Sequence, residues 1–311
     1  MSLAVLILCA GEDPGPWAAS FRELDPLCDV RVWPDAGNPR EILLALVWNH
    51  PRGELARYPN LRCIASMGAG VDHILSDPAL PHGVPVTRVV HESLTRSMVE
   101  YVLLSVLDFS RDMEKYRQDQ KDRRWAPRFP RPRGELGVGV MGLGELGGEA
   151  VRRLMGLGYN VLGWSRTPRS LEGAATFWGD GQLGDFLSRT NVLVCLLPLT
   201  AQTEGILNRE TFSRLRPGAF LINVARGRHL VEEDLLEALD RGWLAGARLD
   251  VFRQEPLPPD HPFWSHPRIQ VTPHISSLTE PHAVAPQILE NYRRVCQALE
   301  PLHRVDPQRG Y

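Results

Sequence analysis

The sequence predicts an α/β fold with two doubly wound parallel-sheet domains, and three observations support this prediction. Short apolar runs alternate with helical patterns through the first third of the 311 residues. A glycine-rich turn at residues 142–147 joins an apolar run directly to a helical pattern. Strand and helix patterns then alternate again as far as residue 276. About 135 residues precede the apolar run that leads into this turn, which is enough for one α/β domain of ordinary size.

The first third of the chain contains four strand patterns and one weaker candidate. Each is short, rich in apolar residues and bounded by Gly, Pro or Asp. Such strands, separated by helical stretches, favour a parallel sheet with helices on both faces. The patterns lie at residues 3–9, 30–33, 43–48 and 62–67, with the weaker one at 84–89.

A long helix is predicted next, over residues 95–118. Its apolar residues recur at i, i+4, i+7 and i+8 from Val99, which defines one face of a helix. We expect this helix to bridge the two domains. Residues 121–135 are rich in Pro and Arg and therefore predict an irregular arm.

The second half repeats the alternation of strands and helices. We predict helices over residues 231–246 and 283–300, and we expect the latter to pack on the first domain. The predicted strands of this half cover residues 136–141, 159–164, 191–200, 217–227, 247–252 and 269–276.

The turn after residues 136–141 has the spacing Gly-x-Gly-x-x-Gly between a strand and a helix, which is typical of a dinucleotide site. Gly142 would allow a tight turn, Gly144 would let the backbone approach a pyrophosphate, and Gly147 would let helix and strand pack closely. The N-terminus of the following helix would receive the phosphates. The predicted cofactor loop consists of Gly142, Leu143, Gly144, Glu145, Leu146 and Gly147.

The residues after the next strand indicate which dinucleotide binds. An acidic residue about 20 positions after the glycines would hold the ribose diol of NAD, and it is missing here. Ser165 cannot repel a 2′-phosphate, and Arg166 has a charged planar fork that suits one. We therefore predict NADP(H) as the preferred cofactor. One alternative is that NAD(H) binds instead. The other is that Arg166 and Arg169 are solvated loop arginines that contact no cofactor.

Three further polar residues follow later strands, at the edge where open α/β sheets bind ligands. They are Arg226, Glu255 and His274. An arginine can orient a carboxylate and polarise a carbonyl, while a histidine can donate the proton that accompanies hydride transfer. A carboxylate keeps such a histidine charged and oriented. Together they have the chemistry that reduction of a 2-oxo acid requires.

Composition limits the remaining classes of function. The net charge of −2 gives no reason to expect a nucleic-acid or membrane partner. The five cysteines show neither a metal-ligand spacing nor a disulfide framework, so we expect no metal and a reducing cytoplasm. Residues 3–9 form an apolar run that lacks a basic leader and is too short to span a bilayer.

At this point the chain resembles the D-isomer-specific 2-hydroxyacid dehydrogenase family. The shared motifs occur in order over nearly the whole length. Within the family, the short chain, LVWN (46–49), W-x-P (125–127) and WSRTPRS (164–170) are similar to the glyoxylate/hydroxypyruvate reductase A branch. The family motifs are SMGAGVDH (66–73), GLGELG (142–147), LLPLT (196–200), INVARG (222–227), LDVF-x-x-EP (249–256) and TPHIS (272–276).

The resemblance implies a role for each matching residue. Arg226 would be the family's substrate-binding arginine, Glu255 its carboxylate and His274 its acid/base. Asp250 would lie near the nicotinamide carboxamide. The cofactor would also contact Leu197, Pro198, Thr200, Val224 and Ala225. The substrate carboxylate would be held by the backbone of Met67, Gly68, Ala69 and Gly70, arranged as an anion nest, with Trp48 walling the pocket.

The family also implies a domain plan and a reaction. We expect Rossmann- or flavodoxin-like domains with an active-site cleft between them. Residues 1–95 plus 282–311 would form the substrate domain and 96–281 the dinucleotide-binding domain. The expected enzyme is a cytoplasmic homodimer that reduces glyoxylate or hydroxypyruvate, with Trp125 reaching a partner subunit. The alternatives are a dinucleotide-sensing, corepressor-like binding protein and a dehydrogenase for a larger 2-hydroxy acid.

Overall fold

The computed structural model describes residues 3–307 and 309–311, so residues 1, 2 and 308 of the predicted first domain lie outside the described part. The chain divides into two compact units. One comprises Met1–Leu94 and Leu278–Tyr311, and the other comprises Thr95–Ser277. Each unit is a parallel-sheet α/β fold, which confirms the predicted fold class. No helix among the described residues has the length and apolar character needed to cross a membrane.

Twelve strands are found in the described residues. In chain order they are β1 Ala4–Cys9, β2 Asp29–Val32, β3 Ile42–Trp48, β4 Cys63–Ser66, β5 Val86–Thr87, β6 Gly137–Met141, β7 Asn160–Ser165, β8 Ala175–Trp178, β9 Val192–Cys195, β10 Ala219–Asn223, β11 Leu244–Leu249 and β12 Ile269–Val271.

Nine α-helices connect these strands within the same described ranges. They are α1 Gly15–Leu24, α2 Asp72–Leu75, α3 Glu92–Ser110, α4 Met113–Lys121, α5 Glu145–Gly156, α6 Gly179–Ser188, α7 Arg209–Arg214, α8 Glu232–Asp240 and α9 Pro281–Cys296.

The first unit contains a five-stranded sheet in the order β2-β1-β3-β4-β5, and every pair is parallel. This is the flavodoxin-like order, whose topological switch lies between β1 and β3. Helices α1 and α9 cover one face, where Trp17, Phe21 and Ile288 share a core with strand residues. Ile64 and Ile74 belong to the core on the other face. Because both faces are buried, β1 and β3 are apolar without alternation.

The second unit contains a seven-stranded parallel sheet in the order β12-β11-β10-β9-β6-β7-β8. Numbered from β6, this is the Rossmann order 3-2-1-4-5-6 with one strand added at an edge. The order reverses between β6 and β9, so the glycine turn and the segment after β9 both leave the sheet at its switch point. Ligands bind at this position in open α/β sheets.

Three predicted helices have different bounds in the structure. The one expected over 283–300 is α9, Pro281–Cys296. The helix expected over 95–118 is divided into α3 and α4, because Asp112 adopts a left-handed conformation with φ of 55°. The helix expected over 231–246 ends at Asp240. Gly242 follows in a left-handed conformation with φ of 73°, and Leu244 already begins β11.

Four predicted strands are shorter than expected. Those at 191–200 and 217–227 contribute only Val192–Cys195 and Ala219–Asn223. The weak candidate at 84–89 contributes only Val86–Thr87, and the strand at 269–276 stops at Val271. In the strand expected at 269–276, the backbone N–H of Thr272 still donates to Leu249 of β11. His274 then adopts a left-handed conformation with φ of 54°, which ends the strand. The irregular arm at 121–135 contains one short 3-10 turn, Arg133–Glu135.

Candidate active site

The glycine turn after β6 is sterically fixed at two of its three glycines. Gly142 has φ of 99°, and a Cβ there would lie 2.5 Å from the carbonyl oxygen of Leu196. A Cβ on Gly147 would lie 1.8 Å from the carbonyl oxygen of Gly142. Both positions therefore exclude a side chain, as the spacing predicts.

Gly144 differs, because a Cβ there would meet no atom within 4 Å. It precedes the first turn of α5, so open space lies beside the N-terminal end of that helix. This open space leaves room for a phosphate to approach the backbone at the helix N-terminus. Of the other loop residues, Leu143 is buried, Leu146 is half-buried and Glu145 is exposed.

The residues after β7 are linked to the glycine turn and to the segment after β9. Arg169 donates a hydrogen bond to the carbonyl oxygen of Leu143 at 3.1 Å, and Arg166 donates to Gln202 at 3.2 Å. Ser165 is buried and its hydroxyl donates to the carbonyl oxygen of Thr167. Two guanidinium groups and no carboxylate therefore follow this strand, as expected for an NADP(H) site.

The segment after β9 is held by one hydroxyl group. Thr203 donates to the carbonyl oxygen of Pro198 at 2.7 Å and accepts a hydrogen bond from the backbone N–H of Thr200 at 2.8 Å. Leu197 is buried beside them, and Leu196 donates its backbone N–H to Met141. The segment is thereby tied to the strand that carries the glycine turn.

The end of β10 is organised by a buried amide. Asn223 is fully buried, donates to the carbonyl oxygen of Arg226 at 3.1 Å and accepts from the N–H of Ala225 at 3.3 Å. Val224 and Ala225 are buried, whereas Arg226 is half-buried. The guanidinium of Arg226 donates to the carbonyl oxygen of Ala225 at 2.7 Å.

Glu255 and His274 form the central pair of the site. The Nδ1 atom of His274 lies 2.7 Å from Oε2 of Glu255, and the other carboxylate oxygen accepts the backbone N–H of Phe252 at 2.8 Å. The two side chains remain 33% and 36% exposed, so neither is sealed inside this unit. The pair has the geometry of a carboxylate-oriented acid/base.

The electrostatics of Glu255 favour its charged form. Burial is the largest single influence and would raise its pKa, but the hydrogen bonds from His274 and from the Phe252 N–H, together with the charges of His274 and Arg226, outweigh it. The net effect lowers the pKa of Glu255 below its usual value. The structure thus brings Glu255 and His274 into direct contact, and the charge of Arg226 acts on the same carboxylate.

Asp250 holds the loop on which His274 stands. Its carboxylate is fully buried and accepts hydrogen bonds from the hydroxyl of Thr272 and from the N–H groups of Ile275 and Ser276, at 2.6 to 2.9 Å. The backbone N–H of His274 donates to the Asp250 carbonyl oxygen at 2.8 Å. Asp250 therefore fixes the position of the acid/base loop, a contribution that its predicted cofactor role did not include.

The substrate residues predicted in the first unit lie after β3 and β4. Trp48 ends β3 and packs against His73, with 4.6 Å between ring centroids. Gly68 lies under the same indole, since a Cβ there would be 3.2 Å from Trp48 Cζ3. Met67 is buried and donates its N–H to the carbonyl oxygen of Val47.

The anion-nest geometry expected at this loop is not found at Gly68. Gly68 is outside the left-handed region, and its N–H donates to the hydroxyl of Ser66 at 3.2 Å. Its lack of a side chain serves close packing instead. Within the described chain, the N–H groups of Ala69 and Gly70 have no acceptor, so these two remain available to a carboxylate.

Known proteins resemble this chain over nearly its whole length. The family model of the D-isomer specific 2-hydroxyacid dehydrogenase, NAD binding domain, matches residues 103–276. A glyoxylate/hydroxypyruvate reductase A of Photorhabdus laumondii is 42% identical over 304 residues, which covers 96% of this chain and 97% of the relative. The chain belongs to the D-isomer specific 2-hydroxyacid dehydrogenase family. The resemblance drawn from the motifs is thereby confirmed.

Two solved structures of this family are similar in fold as well. A D-isomer specific 2-hydroxyacid dehydrogenase of Xanthobacter autotrophicus, in complex with NADPH and MES, has a TM-score of 0.95 and 41% identity over all of both chains. An NADPH-dependent glyoxylate/hydroxypyruvate reductase of Sinorhizobium meliloti, in complex with NADP and sulfate, has a TM-score of 0.93 and 36% identity over all of both chains.

Sequence reasoning missed several residues that position the site. Asn223 and Thr272 stand within the quoted motifs but were assigned no role, and Gln202 and His229 lie just outside them. The one available signal was a polar residue at the end of a buried strand, which Asn223 satisfies. The other contacts depend on which loops become neighbours.

The glycine turn predicts different outcomes for two alanine substitutions. Gly147→Ala should destabilise the protein by about 3 kcal/mol, because the added methyl group collides with the backbone of Gly142. Gly144→Ala should leave the unfolding midpoint nearly unchanged, because its methyl group enters open space, yet it should weaken NADPH binding at least about tenfold. Thermal unfolding and NADPH fluorescence titration measure the two effects. Equal loss of stability in both variants would contradict this assignment.

Proposed function

We propose that the protein reduces small 2-oxo acids, glyoxylate and hydroxypyruvate, to 2-hydroxy acids with NADPH. The Glu255–His274 pair beside Arg226, in the unit that carries the glycine turn, is the observation that supports this proposal most directly. The glycine turn fits a dinucleotide, because the space beside Gly144 is open at the start of a helix. The names of the relatives given above agree with this substrate class.

In this proposal NADPH supplies a hydride to the carbonyl carbon of the substrate. Protonated His274 donates a proton to the carbonyl oxygen, so that C=O becomes CH–OH and the neutral ring remains. Glu255 holds the ring by Nδ1, and we assign the other ring nitrogen, Nε2, to proton transfer with the substrate. Arg226 orients the substrate and polarises its carbonyl through charge-assisted hydrogen bonds.

We further propose substrate roles in the first unit. The free N–H groups of Ala69 and Gly70 bind the substrate carboxylate, and Trp48 limits the size of the group attached to the 2-oxo carbon. An indole that is packed against both His73 and Gly68 is a rigid wall. This favours glyoxylate and hydroxypyruvate over branched or aromatic 2-oxo acids.

The proposed NADPH preference rests on the residues after β7. Ser165 is engaged by the local backbone, and Arg166 and Arg169 supply positive charge beside the glycine turn. In this proposal the pyrophosphate binds at residues 142–147. The rest of the cofactor contacts Leu197, Pro198, Thr200, Val224, Ala225 and Asp250.

We also propose a cytoplasmic homodimer. Trp125 and Phe129 of the arm are 97% and 98% exposed, which is unusual for two large aromatic side chains on one short segment. A second copy of the chain would cover them. The net charge of −2 gives no support for a nucleic-acid partner. The cysteines of the described residues are all free, in keeping with a reducing compartment.

A panel of 2-oxo acids tests the proposed reaction. Purified protein should oxidise NADPH with glyoxylate and hydroxypyruvate at higher kcat/KM than with pyruvate or phenylpyruvate. A preference for phenylpyruvate would contradict the small-substrate assignment. NADPH binding without turnover on any of the four acids would instead favour the dinucleotide-sensing alternative.

Arg166→Ala should reduce the preference for NADPH. The variant loses a charged contact to the 2′-phosphate, so kcat/KM for NADPH should fall about ten- to a hundredfold while kcat/KM for NADH changes little. Arg152→Ala is the matched control, because Arg152 is an exposed arginine of α5 that pairs with Glu149. A wild-type protein that uses both cofactors equally would contradict the proposed preference.

Glu255→Gln should slow the reduction. The pKa of Glu255 is held below its usual value, so the carboxylate is charged at neutral pH, and its pairing stabilises the fold until the pH falls through that lowered value. The neutral amide of glutamine cannot orient the His274 ring through a charge-assisted hydrogen bond. The kcat/KM for glyoxylate should therefore fall about ten- to a hundredfold at neutral pH.

Glu232→Gln serves as the control for that experiment, because Glu232 faces His261 in another carboxylate–histidine pair of the same unit. Its kcat/KM should match that of the wild type. An unchanged kcat/KM in Glu255→Gln would remove Glu255 from the proposed role.

The double substitution Trp125→Ala and Phe129→Ala should dissociate the dimer. Because both side chains are almost fully exposed within one chain, the fold of the chain should persist. Light scattering after gel filtration should show a mass falling from twice 34.9 kDa to 34.9 kDa. Leu27→Ala, at a side chain that is 95% exposed, should leave the mass unchanged. A wild-type protein that is already monomeric would contradict the proposal.

A further inference from the structure

His229 is a fully buried histidine that the proposed mechanism does not use. It ends the short 3-10 turn Gly227–His229, three residues after Arg226. A buried imidazole is tolerated when its ring nitrogens have hydrogen-bond partners. Both nitrogens of His229 have such partners, and the two partners lie in different segments of the candidate site.

The hydrogen bonds define the tautomer of the ring. The backbone N–H of Arg226 donates to Nδ1 at 3.2 Å, and the carbonyl oxygen of Pro198 lies 3.3 Å from Nε2. The Arg226 carbonyl oxygen is also 3.2 Å from Nδ1. A proton on Nδ1 would leave two acceptors, Nε2 and the Pro198 oxygen, facing each other. A proton on Nε2 avoids that arrangement and lets Nδ1 accept the Arg226 N–H, so we assign the tautomer in which Nε2–H donates to Pro198.

These bonds join the ends of two adjacent strands. Pro198 belongs to the segment after β9, and Arg226 to the segment after β10. The same segments are also connected through the backbone, since Leu207 donates its N–H to the carbonyl oxygen of His229 at 2.9 Å. The imidazole therefore spans the gap between the segment proposed for the cofactor and the residue proposed for the substrate.

The turn that carries His229 is also closely packed against the segment before Glu255. A Cβ on Gly227 would lie 1.8 Å from the carbonyl carbon of Phe252. The backbone N–H of Phe252 is the group that donates to Glu255. A shift of the turn would consequently disturb both Arg226 and the partner of His274.

We propose that His229 is a positioning residue that sets the distance between the Pro198 segment and Arg226. This inference rests on the proposed function, in which the first contacts the cofactor and the second binds the substrate. Hydride transfer needs the two reactants within a narrow range of distance and angle, and a displacement of about 1 Å can cost about a hundredfold in rate. A ring held at both nitrogens provides that constraint without touching either reactant.

Two conservative substitutions separate the two bonds. The side-chain oxygen of asparagine can occupy the position of Nδ1, and the side-chain amide of glutamine can occupy that of Nε2. His229→Asn should keep the Arg226 contact and lose the Pro198 contact. It should therefore weaken NADPH binding about tenfold and leave the KM for glyoxylate within about threefold of wild type.

His229→Gln should show the opposite pattern. It keeps the Pro198 contact and loses the acceptor for the Arg226 N–H, so NADPH binding should stay near the wild-type value. The kcat/KM for glyoxylate should fall about tenfold or more. Opposite patterns in the two variants would support the proposal, and identical losses in both, or no kinetic change in either, would overturn it.

His261 supplies a matched control. It lies in the same unit, its Nδ1 accepts the backbone N–H of Phe263, and its Nε2 faces Glu232. His261→Asn and His261→Gln should change the unfolding midpoint without changing NADPH affinity or kinetics. If His261 substitutions shift NADPH affinity as much as His229 substitutions do, the assignment to His229 is wrong.

The binding measurement also separates this inference from the proposed function. NADPH affinity is measured by fluorescence titration and needs no turnover. If the wild-type protein binds NADPH but reduces none of the tested acids, the proposed function fails. An unchanged NADPH affinity in His229→Asn overturns the positioning role whether or not the wild-type protein reduces glyoxylate.

Discussion

The carboxylate of Asp250 is the interaction on which the geometry of the site depends. It is fully buried at the end of β11, and its hydrogen bonds go to the loop that follows β12. Two backbone N–H groups and one hydroxyl satisfy its oxygens, so a buried charge is tolerated there. The loop it holds carries His274 in the left-handed region, a conformation that costs an ordinary residue about 1 kcal/mol or more. The hydrogen bonds of Asp250 offset that cost.

A second buried polar network lies behind Asp250 and connects the sheet to α3. Tyr101 hydrogen-bonds Thr272, the residue that donates to Asp250. One turn further along α3, Ser105 accepts a hydrogen bond from Arg248, and Arg248 also pairs with Asp108 at 2.9 Å. Removing one partner of a buried ion pair costs about 3–5 kcal/mol, because the other charge is left uncompensated. The network is therefore sensitive to single changes and ties the site to the helix.

The parts of the fold and site that were predictable from sequence follow from a local steric constraint or from the general geometry of parallel sheets. The glycines at 142 and 147 were predictable because the constraint is steric and acts across five residues. Glu255 and His274 were predictable because parallel strands bring their carboxyl ends to one edge, whatever the details of the loops.

The parts that were missed depend on tertiary contacts. The break at Asp112 interrupts a helical pattern that the apolar spacing alone would continue. Gly68 was interpreted as a residue for a special backbone conformation, whereas the indole of Trp48 is what excludes a side chain there. The function of His229 depends on Pro198, 31 residues earlier in the chain, and no pattern of spacing specifies that pair.

The site thus uses two carboxylates for one histidine, and their surroundings differ because their tasks differ. Asp250 contacts only the backbone and hydroxyl groups of the loop, is closed to water and acts on where the histidine stands. Glu255 contacts the ring itself and keeps 36% of its side chain exposed. A fully buried carboxylate in the second position would face a larger desolvation cost, which disfavours its charged form. Partial exposure therefore helps to keep Glu255 charged beside the ring that it orients.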